Sequence, residues 1–189
     1  ERCVSVDAGT FELPRPFFVL ATENPIEFEG TFSMPEAQID RFLMRLRISY
    51  PDPASEKQLY SHGSTETEVR ELAPVFTCDE IRNFQKDAAT VSVEASLFEY
   101  VHAVVEQTRT ERDTALGVSP RGALLWLRAA RALAYLSGRT YLLPDDLKTT
   151  AVPALAHRIT VLSTRHHEGV SAAQDKIISD ILDRVPVPR

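Results

Sequence analysis

The sequence predicts a fragment of an α/β core, a hairpin plus parallel-sheet strands, followed by an all-helical domain, with the chain mostly helical overall. Three observations carry this. Residues 2–13 alternate loosely around Asp7-Ala8-Gly9, as a β-hairpin does. Phe17-Phe18-Val19-Leu20-Ala21-Thr22 is continuously apolar until its last residue, the pattern of a strand covered on both faces. Beyond Pro51-Asp52-Pro53, helix-start signals and helical apolar spacing recur to the end of the chain. The reading places the domain boundary there, giving domains of 1–52 and 53–189.

Within the first part, Pro14-Arg15-Pro16 breaks the chain between the hairpin and the apolar run. Ser33-Met34-Pro35-Glu36 opens a helix, with Pro and an acid in its first turn. Ile39, Phe42, Leu43 and Leu46 then fall at i, i+3, i+4 and i+7, one apolar stripe. On such a helix Arg41 points roughly 160° from the stripe's centre, and Arg45 shares its outward face. Leu46–Tyr50 is expected to fray into a further strand.

In the second part, Pro53–His62 is a helix and residues 61–73 a polar connector. Thr77-Cys78-Asp79-Glu80 has the T-x-x-E form of a capping box and opens a helix to about Thr90. Ser92 is expected to cap another, through Arg112. Ser119-Pro120 starts a third, stopped by Gly138. Pro144-Asp145-Asp146 starts a fourth, and Ser171–Val185 makes a fifth.

Composition excludes several classes. The chain has 189 residues, is 43% hydrophobic and 25% charged, and carries a formal net charge of -6. That acidic balance argues against nucleic acid as the main partner. Cys3 and Cys78 are too few and too far apart for a disulfide framework or a zinc site, and they fit a reducing compartment. No apolar run reaches the ~20 residues of a membrane span. Glu1-Arg2-Cys3 lacks the layout of a signal peptide and an initiator Met, so the chain is expected to begin partway through a longer protein.

Few residues suggest chemistry. No G-x-x-x-x-G-K-[ST] occurs, and no apolar run ends in Asp-Glu, so a phosphate-cradling loop and a metal-holding acid pair are absent from this sequence. His157, His166 and His167 have no metal-ligand context. Asn24, after the apolar run, either turns the chain with Pro25 or orients a water or phosphate oxygen beyond a strand end. On the residues alone, Arg41 and Arg45 read as the solvated face of an amphipathic helix. Arg121 stands at a helix N-terminus, where a cation opposes the helix dipole; such conflicts often mark a site.

The order of these residues carries more than any one of them. "ATENPIEFEGTFSMPEAQIDRF" closely resembles the signature A-T-Q-N-P-x-E-x-x-G-T-x-P-L-P-E-A-Q-L-D-R-F of the MoxR family of AAA+ ATPases, and "VSPRGALLWLRAARALAYLSGRTYLLPDDLK" resembles that family's helical lid. Glu1-Arg2 resembles the end of the segment that follows Walker B. Glu23 and Ser33-Met34 depart from the common residues without touching an assigned role. The resemblance implies an AAA+ core over 1–52 and a lid over 53–189. It implies that Asn24 is sensor 1, that Arg41 is an arginine finger offered to a neighbouring subunit, and that Arg121 is sensor 2, reaching the nucleotide of its own subunit. Arg45 is a weaker second interface candidate. The implied cofactors are ATP and Mg2+ in the complete protein; this chain alone, without Walker A and B, is expected to be inactive. A cytoplasmic ring, a hexamer, is implied, coupling hydrolysis to chaperone-like remodelling, with a von Willebrand factor A domain protein or another protein as client. A magnesium-chelatase- or helicase-like motor and a non-catalytic helical module are the alternatives.

Overall fold

The structure, a computed structural model, describes residues 3–6, 9–23, 34–62, 69, 71–162 and 169–188. They divide into two compact units: residues 1–19 with 46–83, and residues 20–45 with 84–189.

The first unit contains the hairpin. Strands β1 (Cys3–Val6) and β2 (Gly9–Glu12) are antiparallel, with Cys3 opposite Glu12 and Val6 opposite Gly9. Gly9 has φ 138°, a conformation closed to side-chain-bearing residues, so the turn chemistry read from Asp-Ala-Gly is needed at its glycine. Helix α1 (Glu36–Ile39) belongs to the second unit and is taken up below. Helix α2 (Pro53–His62) follows Asp52, whose carboxylate accepts from the Ala54 and Ser55 amides at 3.0 and 3.2 Å and from Ser55 Oγ at 2.6 Å. Helix α3 (Cys78–Thr90) opens on the anticipated capping box: Thr77 N donates to Glu80 at 2.7 Å and Glu80 N to Thr77 Oγ1 at 3.2 Å.

Two expected strands are not formed. Residues 17–23 and residues 46–50 form no regular element. A strand requires a partner, and none of the described residues pairs with either segment. Phe18, Leu20, Ile48 and Tyr50 accordingly remain exposed.

The second unit is a helical domain. Helix α4 (Ala95–Thr110) buries Leu97, Tyr100, Val101, Val104, Val105 and Thr108, one stripe at helical spacing. A short antiparallel pair, β3 (Thr114–Leu116) with β4 (Thr160–Val161), closes one edge. Helices α5 (Pro120–Leu136), α6 (Pro144–Leu155) and α7 (Val170–Arg184) complete it, with a 3-10 turn at Ala156–Arg158. Trp126 is fully buried and donates from Nε1 to the Leu147 carbonyl at 3.0 Å. Ala130, Ala134, Ala151 and Ala154 bring α5 and α6 close. Ser92 does not cap α4, which begins three residues later. It forms a parallel bridge with Tyr141, its amide donating to Thr140 and its carbonyl accepting from Leu142. That ladder fixes residue 92 in extended backbone, so the helix cannot start there.

Candidate functional site

The residues singled out by sequence meet in part. Asn24 lies outside the described residues, as do His166 and His167. Arg41 and Arg121 both lie in the helical unit and are both exposed. Between them stands Asp40.

Helix α1 is only four residues long. The stripe from Ile39 to Leu46 predicts a longer helix, but regular structure stops at Ile39 and the chain turns through Asp40 and Arg41. The reason is competition for carbonyls. Arg158, at the end of the 3-10 turn, donates from Nη1 to the Asp40 carbonyl and from Nη2 to the Phe42 carbonyl, with Leu43 O at 3.4 Å. The Pro153 carbonyl at the end of α6 accepts from the Arg45 amide at 2.8 Å. Four residues cannot sustain a helix unaided; these groups from α6 and the 3-10 turn hold the turn instead.

Asp40 joins the two motifs. Its Oδ1 accepts from Arg158 Nη1 at 2.7 Å, and its Oδ2 accepts from Ser119 Oγ at 3.4 Å. Ser119 is the N-cap of α5, its Oγ also accepting from the Gly122 amide at 3.1 Å. The turn that carries Arg41 is therefore tied to the end of α5 that carries Arg121. No acidic residue lies in the first turn of α5. Its positive dipole end, Arg121 and the nearby Arg158 concentrate positive charge on one place, opposed by the Asp40 carboxylate. Burial, joined by the charge of Arg121, holds Arg158 below the usual guanidinium range against the pull of Asp40. Such a concentration suits an anionic ligand such as a phosphate chain.

Arg45 does not share an outward face with Arg41. It donates to Gln174 Oε1 and Asp175 Oδ1, both at 2.7 Å, and ties the segment to α7. Once the helix stops at Ile39, the angular argument no longer governs residue 45.

The sequence analysis weighed His157 only as a metal ligand and assigned Arg158 no role. Each is buried, and each meets the Asp40–Leu43 turn; His157 Nε2 lies 3.4 Å from the Phe42 carbonyl oxygen. Burial, and then the charge of Arg158, lowers the His157 pKa to about 4, so the ring is neutral near pH 7. The one available signal was the adjacency of two polar residues after the apolar end of α6. Among the described residues no group of His, Cys, Asp and Glu could hold a metal ion.

Comparison with known proteins finds relatives along the whole chain. The profile of the "ATPase family associated with various cellular activities (AAA)" matches residues 1–44, and that of the "AAA lid domain" matches residues 106–181. The chain is 34% identical over its whole length to "Chaperone MoxR1" of Mycobacterium tuberculosis, spanning 52% of it, and 29% identical to "Protein MoxR" of Paracoccus denitrificans, spanning 60%. The chain belongs to the MoxR family of AAA+ ATPases. "Uncharacterized protein YeaC" of Bacillus subtilis is 38% identical, with 58% of its length covered. A crystal structure of a candidate ATPase from Cytophaga hutchinsonii superimposes with a TM-score of 0.85 at 31% identity, over all of this chain and 59% of that one. The MoxR-family chain thus spans about half the length of the curated relatives it matches, and its fold class, an α/β fragment leading into a helical lid, is that of an AAA+ ATPase.

Proposed function

We propose that this chain supplies sensor 1, the arginine finger, sensor 2 and the lid of a MoxR-type ATPase. In this reading residues 1–52 belong to the nucleotide-binding core and residues 53–189 to the lid. The complete protein hydrolyses ATP with Mg2+ in a cytoplasmic ring, a hexamer, and uses the energy for chaperone-like remodelling of protein complexes. A von Willebrand factor A domain protein is the partner class. No helix among the described residues is long and apolar enough to cross a membrane.

The observation that carries the reading is the Asp40 bridge, which sets the turn of Arg41 against the helix end of Arg121. In this reading ATP supplies the phosphoryl group, and the chain's own residues bind and polarise it. Arg41, exposed beside α1, neutralises charge growing on the transferred phosphoryl of a neighbouring subunit, an effect worth about 10³–10⁵ in kcat. Asn24 orients the attacking water. Arg121 contacts phosphate oxygens and links lid position to nucleotide state.

The Asp40–Ser119 contact favours a second reading of Arg121. A residue whose helix end is tied to the finger's turn travels with the finger, so both arginines serve the neighbour's nucleotide rather than one serving each. Arg41→Ala in the full-length protein is expected to lower kcat at least about 10³-fold while ATP affinity changes by less than about threefold. Wild-type turnover in that variant removes the finger assignment. Arg121→Ala subunits that recover turnover when mixed with subunits disabled in their own hydrolysis site favour the second reading; no recovery favours the first.

A further inference from the structure

The Arg158 side chain is 0% exposed, and the hydrogen bonds described for it go to backbone carbonyls and to Asp40. Its Nε donates to Ala154 O at 2.7 Å, anchoring it to the end of α6. Its two terminal nitrogens reach carbonyls of residues 40, 42 and 43 and the Asp40 carboxylate. The residues so held lie immediately before and immediately after Arg41. A guanidinium presents its N–H groups in one rigid plane, so it fixes relative position as well as supplying charge. A four-residue helix supplies no such rigidity. The sequence makes room for the clamp at Gly122: a Cβ there would lie 2.9 Å from Arg158 Cδ and 2.8 Å from Val118 Cγ1.

We infer that Arg158 is a positioning residue that sets the placement of Arg41, with Asp40 as its counter-charge and Gly122 as the space it occupies. The inference rests on the finger reading of Arg41 given above. Arg158 touches no substrate; it acts through the turn. A finger must be placed within a fraction of an ångström, and about 1 Å of displacement costs on the order of 10² in rate. The lid therefore acts on the neighbouring subunit's chemistry by holding the turn from below.

The test uses the full-length protein. Arg158→Lys keeps the charge and loses the planar span; Asp40→Asn keeps the side-chain shape and loses the counter-charge. Both are expected to lower kcat about 10- to 100-fold with ATP affinity within about threefold of wild type. Both are also expected to regain turnover when mixed with subunits that carry an intact Arg41 but cannot hydrolyse at their own site, because a misplaced finger leaves its own subunit's site serviceable. A purely architectural role predicts no regain, since damage inside a subunit stays with it, and that result overturns the inference. If Arg158→Lys fails to fold, Asp40→Asn decides on the same readouts. Wild-type kcat in Asp40→Asn and in any folded Arg158→Lys, with Arg41→Ala inactive, overturns the positioning role and leaves the finger standing. Wild-type kcat in Arg41→Ala removes both.

Discussion

The two compact units treat apolar side chains in opposite ways. In the helical unit, Leu147, Trp126, Val104 and Ile178 are fully buried against one another. In the hairpin unit, Val6, Phe11 and Phe18 are more than half exposed, and Ile48 is 97% exposed. Their sequences do not differ so much in apolar content as in where the complementary surface comes from. Helices close their hydrogen bonds within themselves and need only a stripe of neighbours, which α4 to α7 supply to one another. A sheet strand needs a backbone partner before its side chains have a surface to cover. Packing is concentrated in the helical unit, and the turn of Arg41 draws its order from there.

Substitution at matched leucine and isoleucine positions breaks the comparison most sharply. Leu147→Ala is expected to cost about 2–5 kcal/mol, the range for emptying a filled core site. It should speed hydrogen exchange throughout α5 and α6. Ile48→Ala is expected to change stability by less than about 0.5 kcal/mol in the same measurement. Equal losses at the two positions would show that the exposed segment carries as much packing as the core.

The next effect is proton-linked. Unfolded, His157 titrates near 6.5; folded, at about 4. Between those values the unfolded chain holds a proton that the folded lid excludes, so stability is fully present above pH ~6.5 and falls as pH drops towards 4. The loss is on the order of 2–3 kcal/mol. Denaturant unfolding of the lid at pH 7, 6 and 5 measures it, and His157→Asn should flatten that slope. Asp146 is distinct: burial raises its pKa, but Arg139 and the Leu143 amide outweigh burial and hold it below its ordinary value, so its contribution is lost only at still lower pH.

A smaller loss lies at the capping box of α3. Thr77→Ala removes an acceptor for the Glu80 amide and is expected to cost about 1 kcal/mol, read as faster exchange in the first turn of α3. An unchanged first turn would mean that Glu80 alone suffices.

What the sequence made legible follows the same division. Helix starts with a local chemical cause were placed well: Asp52 before α2, Thr77 before α3, Ser119 before α5 and Pro144 at the start of α6. Ser92 misled because a serine's capping chemistry is local, while its ladder to Tyr141 is made across 49 residues. The stripe from Ile39 to Leu46 misled for a related reason: Arg158, more than a hundred residues away, takes the carbonyls that a longer helix would use. Arg41 and Arg121 were found as motif members. The groups that join them, Arg158 and the Asp40–Ser119 contact, follow from tertiary packing, and spacing carries no trace of it.

The most direct measurement mixes Arg41→Ala subunits of the full-length protein with subunits that bind ATP but cannot hydrolyse it, and records turnover against the mixing ratio. The account predicts two near-silent endpoints and a maximum between them, because each intact finger serves its neighbour. A flat line at the floor across all ratios, with mixed assembly verified by native mass spectrometry, would contradict it.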